Sequence, residues 1–170
     1  PAACSTPDLG VSWRHVDGQP DVAGANRAEA EAVIVEALRR VKAQPLRSLA
    51  IVALSRAHAD LVESLRTPEL AGVLVGTPDR IQGEERDVVL VTFGDTPAAF
   101  AHPGAARWLA VATTCAREQL VLFSSFDDAP GTLGELIAYA RVPRIIDASE
   151  PASPITAAIA RALADRGWAI

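Results

Sequence analysis

Gly72-Val73-Leu74-Val75-Gly76, Thr77-Pro78-Asp79-Arg80-Ile81-Gln82-Gly83-Glu84-Glu85-Arg86-Asp87 and Val88-Val89-Leu90-Val91-Thr92-Phe93 follow one another without a break. The outer stretches are short, continuous apolar runs, as expected of strands covered on both faces in a parallel sheet. The polar stretch between them is too short for a full crossover helix, so its side chains are expected to project from one edge of the sheet. In open α/β sheets that edge is where ligands bind. A hydroxyl at Thr77 and nearby amides suit phosphate, Gly83 permits close backbone approach, and Glu85 suits hydrogen bonds from a ribose. The same composition also suits an acidic surface loop that merely caps the sheet, and the residues alone leave both readings open.

Working outward, Leu49-Ala50-Ile51-Val52-Ala53-Leu54 is another buried strand, and Leu61, Val62 and Leu65 mark the helix after it. Upstream, Val11-Ser12-Trp13-Arg14-His15-Val16 alternates apolar and polar residues like an edge strand, and Asp17-Gly18 turns it. Asn26 followed by Glu29 gives a helix start resembling a capping box, the Asn side chain accepting from a free backbone N–H. Behind it Val33, Ile34, Ala37, Leu38 and Val41 share one helical face. Downstream, Leu109, Val111, Ala112 and Ala116 suit a helix before the strand Leu120-Val121-Leu122-Phe123; Leu133, Leu136, Ile137 and Ala140 suit another after it. Strands alternating with helices predict a layered α/β fold, a mainly parallel sheet with helices on both faces.

The 170 residues, 49% hydrophobic and 22% charged, suit one well-buried domain rather than two. No apolar run reaches the length of a membrane span, and Pro1 to Gly10 lacks the basic start and apolar core of a signal peptide, so a cytoplasmic protein without membrane contact is expected. Cys4 and Cys115 lie far apart with no Cys-x-x-Cys pair or ligand-spaced His, which signals two free thiols and no metal site. The net charge of −5 argues against binding nucleic acid by bulk attraction, so any strand contact is expected to be local. Arg outnumbers the single Lys, Lys42, and Ala is abundant, a bias that suggests a GC-rich bacterial genome. With no Met and a strand-like Trp168-Ala169-Ile170 at its end, the chain is expected to be cut from a longer protein.

Thr77-x-Asp79-x-Ile81-Gln82-Gly83-x-Glu85-x-Asp87 ahead of an apolar strand is similar to motif V of the superfamily 1 helicases that translocate on RNA or DNA, with every consensus position filled. Asn26-Arg27-Ala28-Glu29-Ala30 looks like the family's Asn-x-x-Glu-Ala helix start. Arg107-Trp108-Leu109-Ala110-Val111-Ala112-Thr113-Thr114-Cys115-Ala116-Arg117 is similar to motif VI, usually Arg-Arg-Leu-Asn-Val-Ala-Leu-Thr-Arg-Ala-Arg. The resemblance implies a second RecA-like motor domain over residues 11–146, three-layered and of P-loop NTPase type. It implies a strand contact at Thr77, nucleotide contacts at Gly83 and Glu85, and a coupling role for Gln82; Asp79 is placed with Thr77 on the strand side, and Arg80 and Arg86, which flank the motif, suit phosphate contacts or an ordinary solvated face. It further implies ATP with Mg2+, held mainly by a first RecA-like domain of the same parent, and single-stranded DNA or RNA as track.

The departures are as informative. Motif VI usually supplies an arginine finger, and here that position is Cys115; Arg117 is the remaining cation and, on a helix, could substitute only if the helix turned. In the loop after the strand at Leu49, where the family tends to show Thr-Pro-Tyr-x-x-Gln, only Arg56 is kept, as a nucleotide contact. No Gly-x-x-x-x-Gly-Lys-Ser/Thr is present, so the isolated chain is expected to hold at most half an ATP site and to show no ATPase. A degenerate helicase-like domain serving as a nucleic-acid binding or assembly module is the alternative. Residues 147–170, linker then helix, resemble the start of the nuclease-like domain that follows some bacterial helicases; an ordinary amphipathic helix is the other reading. A free-standing Rossmann or flavodoxin-type module lacks its Gly-x-Gly-x-x-Gly. His15, His58 and His102 have no partners at fixed spacing and read as surface or structural. Trp13, Trp108 and Trp168 could stack bases or simply pack.

Overall fold

The computed structural model describes residues 10–101 and 103–141. Five strands form one sheet: β1 (Gly10–His15), β2 (Leu49–Ala53), β3 (Leu74–Gly76), β4 (Arg86–Thr92) and β5 (Ala116–Ser124). Their order is β1-β5-β4-β2-β3 and every pairing is parallel. The helices are α1 (Arg27–Ala43), α2 (Arg56–Ser64), a single turn α3 (Pro78–Ile81), α4 (Pro103–Thr114) and α5 (Thr132–Ala140). This is the mixed α/β, all-parallel, helix-flanked arrangement of a RecA-like domain.

Alternation along the inner strands builds two cores. Val52, Val89, Val91, Leu120 and Leu122 face one side, packed with Ile81 of α3, Leu109 of α4 and Leu133 of α5. Ile51, Leu90, Val121 and Phe123 face the other, under Val33 and Ile34 of α1 and Val62 of α2. Both faces are covered, which is why β2 and β4 read as unbroken apolar runs while edge strand β1 alternates. The chain moves from β1 through β2 to β3 with α1 and α2 on one face, then returns to β4 and β5 with α3 and α4 on the other. Reversing direction and changing face together keeps each parallel crossover the same hand.

Two boundaries differ from expectation. Ala116, expected on the helix, is the first residue of β5, and α4 stops at Thr114. The strand extends beyond its apolar part because Arg86 pairs with Ala116 and Arg86 N–H donates to Cys115 C=O at 2.9 Å, so polar Arg117 and Glu118 ride on a ladder where none of the described helices covers them. Strand β3 shrinks to three residues, since Leu70 and Val73 are drawn into the core from the turn before it. Residues 147–170, with Trp168, and also Cys4 and His102, lie outside the described residues. Among the described residues no helix is long and apolar enough to cross a membrane.

Candidate functional site

The segment Thr77 to Asp87 does not sit at one edge of the sheet; it runs from one end to the other. Gly76 is level with Val52 and Val91, so Thr77 lies at the C-terminal end of the strands beside Ala53 and Thr92. Glu85 precedes Arg86, the first residue of β4, at the N-terminal end. Seven strand residues separate those levels, about 20 Å at the usual rise. The cause is the strand order: β2 lies between β3 and β4, and a parallel return must carry the chain back to the start of the next strand.

Each part of this connector is held differently. The Thr77 side chain is buried and hydrogen-bonds the Asp79 carboxyl, which this bond, with Asp79's own backbone N–H, holds below the usual carboxylate range. Ile81 is fully buried, and its carbonyl accepts the Glu84 N–H at 2.9 Å and the Cys115 thiol at 3.6 Å. Gln82 through Glu85 are exposed, and Gly83 turns the chain at φ +87°. A Cβ at Gly83 would meet nothing within 4 Å, so its requirement for glycine is conformational and its surface is open to a ligand. Asp87 accepts the Ser48 N–H and hydroxyl, both at 2.8 Å, and returns its own N–H to the Ser48 oxygen at 2.9 Å. Those donors lower its pKa, the Ser48 backbone N–H most. The last motif residue is therefore an anchor.

The expected site residues fall into two groups. Arg56 opens α2 just after β2, so it lies with Thr77 and Arg80 rather than with Glu85 and Gly83. These three line a groove of about 480 Å³ along the open side of β3. Arg56 also pairs with Asp60 at 3.0 Å. At the other end Arg117 donates to Glu85 at 3.0 Å, the two side chains 56% and 62% exposed. No helix rotation is needed for that contact, because Arg117 stands on β5 and not on the motif VI helix. Cys115 points inward, 5% exposed, and burial raises its thiol pKa, so the finger position itself faces the core.

The largest polar node centres on Glu29, which the residue pattern marks only as part of a helix start. Glu29, fully buried, accepts from Thr92 Oγ1 at 3.0 Å, Phe93 N–H at 3.0 Å, Gly94 N–H at 2.9 Å, Ser125 N–H at 2.8 Å and Asn26 Nδ2 at 3.4 Å. It ties α1 to the C-terminal ends of β4 and β5. Burial raises its pKa, and the donors oppose that. The Thr92 hydroxyl gives its proton to Glu29, so it must accept from His58 Nε2 at 2.8 Å, while His58 Nδ1 accepts the Asn26 N–H at 3.3 Å. His58 is thus a neutral imidazole, its pKa pushed down to about 4 by burial. Asn26 caps α1 as expected, accepting the Glu29 N–H at 3.3 Å, but the Glu29 carboxylate turns into the sheet and meets the cap only at the Asn26 amide, leaving the Asn26 backbone N–H to His58. The Asn26-to-Glu29 spacing was the available signal, and it points equally to a cap. Trp13 packs, donating to Ser124 Oγ at 2.7 Å under the Arg141 guanidinium. Trp108 is 37% exposed on α4. Among the described residues no group of three or more His, Cys, Asp or Glu is placed to hold a metal ion.

No family model matches the chain, and no curated protein matches it. Among solved structures it is similar to the C-terminal domain of a possible DNA helicase from Lactobacillus plantarum WCFS1. The TM-score is 0.51 and the sequence identity 17%, covering 79% of this chain and 81% of that one. At that identity the likeness is one of fold: the chain is folded like a helicase C-terminal domain.

Proposed function

We propose that this chain is the second motor domain of an ATP-dependent superfamily 1 helicase or translocase, contributing motif V and an altered motif VI to sites completed by a first RecA-like domain. One observation carries the reading: the motif-bearing connector spans the sheet, anchored at Thr77 and Asp87 and pegged at Ile81. Its strand-facing residues, Thr77, Asp79 and Arg80, stand at one end with Arg56 beside them. Its nucleotide-facing residues, Gly83 and Glu85, stand at the other with Arg117. A connector fixed at both ends and at its middle is what coupling of nucleotide state to strand grip needs. The Glu85 carboxylate is exposed enough to accept ribose hydroxyls, and Arg117 beside it suits phosphate oxygens. ATP with Mg2+ would supply the phosphoryl chemistry, its metal and phosphates held mainly by the first domain. The test uses the full-length parent. Gln82→Ala is expected to cut strand-stimulated ATP hydrolysis about 10-fold or more while single-strand binding persists. Unchanged stimulation would sink the reading.

The inward Cys115 supports a second reading, a degenerate motor kept for nucleic-acid binding or assembly. Arg117 separates the two. If it supplies the phosphoryl-facing cation, Arg117→Ala in the parent lowers turnover by about 10³-fold. A parent that binds single strands but shows no turnover favours the degenerate form. Cys115→Arg is a poor rescue, because the new guanidinium would be driven against the Ile81 carbonyl in the core.

A further inference from the structure

Among the described residues, three buried polar atoms at the N-terminal end of the sheet have no protein partner: Arg40 Nη2, Gln44 Oε1 and Arg47 Nη1. Their side chains line one cavity of about 10 Å³, floored by Leu49 and Val88. Arg40 is 5% exposed and its other nitrogens are engaged, Nε by Glu36 and Nη1 by Gln119. Arg47 gives Nη2 to Glu118 at 2.6 Å. Gln44 ends α1, its N–H on the Arg40 carbonyl. Two donors and one acceptor therefore belong to residues that line one small space.

That inventory specifies its occupant. A cavity of about 10–15 Å³ holds a single water, and a buried water typically makes about three hydrogen bonds. Here it accepts from both guanidinium groups and donates to the Gln44 carbonyl. A halide would accept from the arginines but would face the lone pairs of Gln44 Oε1, and a phosphate or sulfate exceeds the space. We infer that this cavity is a binding site for one ordered water, which ties the C-terminal end of α1 to the segment entering β2. Ser48, the next residue after Arg47, clamps Asp87, so the water braces the lower anchor of the Thr77–Asp87 connector. The inference stands apart from the motor reading.

Crystals grown in sodium bromide, with diffraction recorded at the bromine absorption edge, test it. The expected result is one peak without anomalous signal, within about 3.2 Å of all three atoms. An anomalous peak would reassign the site to an anion, and an empty cavity would equally overturn the inference. In solution, long-lived water cross-peaks to the Arg40 and Arg47 guanidinium protons are expected in the wild type and in Gln44→Glu, which keeps an acceptor. They should weaken or vanish in Gln44→Leu, which removes it; their absence from the wild type refutes the site.

Discussion

At one end of the sheet Glu29 is sealed from solvent with five donors on its carboxylate; at the other Glu85 is 62% exposed and shares a single arginine. Both lie in stretches that resemble the same family, and neither is marked by its neighbours as buried or exposed. The difference comes from what each carboxylate replaces. Glu29 substitutes for water at the Gly94 and Ser125 N–H groups just past β4 and β5, and reinforces the Phe93 N–H, which also reaches the Phe123 carbonyl at 3.3 Å. Glu85 replaces nothing, so its charge remains available to a ligand. One acid is committed to the fold and the other is left for binding.

The sharpest way to break that contrast is Glu29→Ala. Truncation strands the Gly94 N–H, the Ser125 N–H and the Thr92 hydroxyl, each costing about 1–3 kcal/mol, while the Phe93 N–H keeps the Phe123 carbonyl at 3.3 Å. A loss of at least about 3 kcal/mol in urea unfolding is expected, enough to leave much of a marginal domain unfolded. A loss under about 1 kcal/mol would show that water enters and that the node is not sealed.

The glycines beside the two acids repeat the comparison. Gly94 has φ +76° and a Cβ there would lie 2.3 Å from the His58 ring, so Gly94→Ala meets both strain and a collision with a fixed side chain. About 3 kcal/mol is expected. Gly83 has φ +87° but open space around it, so Gly83→Ala carries the backbone penalty alone, about 1 kcal/mol. Equal losses in chemical denaturation would remove the distinction between a packed end and an open one.

Acid titrates the sealed end next. The folded pKa of His58 is about 4 against an ordinary 6.5, so between those values the unfolded chain binds the proton and the folded chain does not. Its contribution is complete above about pH 6.5 and is lost as pH falls toward 4. From pH 7 to pH 5 that amounts to roughly 2 kcal/mol. Glu29, with its raised pKa, acts in the opposite sense, favouring the fold as it protonates. His58→Gln should therefore flatten the acid loss and expose any gain from Glu29; an unaltered slope between pH 7 and 5 would mean that His58 does not titrate there.

Much of the fold was legible because the inner strands are covered on both faces and so must be apolar throughout. What was not legible depends on strand order. Residues 72–93 fix two strands and a polar connector, but only the insertion of β2 between β3 and β4 makes the connector cross the sheet, and no local pattern encodes that insertion. Arg117 was misplaced for a related reason: Ala116 is apolar and helix-compatible, and its pairing with Arg86 is a contact thirty residues away in sequence. Glu29 was hidden behind a spacing that a simple helix cap also satisfies. The motif residues were legible as a set, whereas their division between two ends was not.

The smallest effect is also the one that ties the contrast to function. The Glu85–Arg117 pair is exposed on both sides, and such pairs contribute between nothing and about 1 kcal/mol. Glu85→Gln should therefore change stability by less than about 0.5 kcal/mol in the same urea experiment that is expected to cost Glu29→Ala several times more. In the parent protein the same substitution is expected to weaken nucleotide binding or turnover, because it removes a charge that the fold does not use. A large stability loss from Glu85→Gln would place this carboxylate among the structural acids, with Asp87, and remove the ligand role assigned to it.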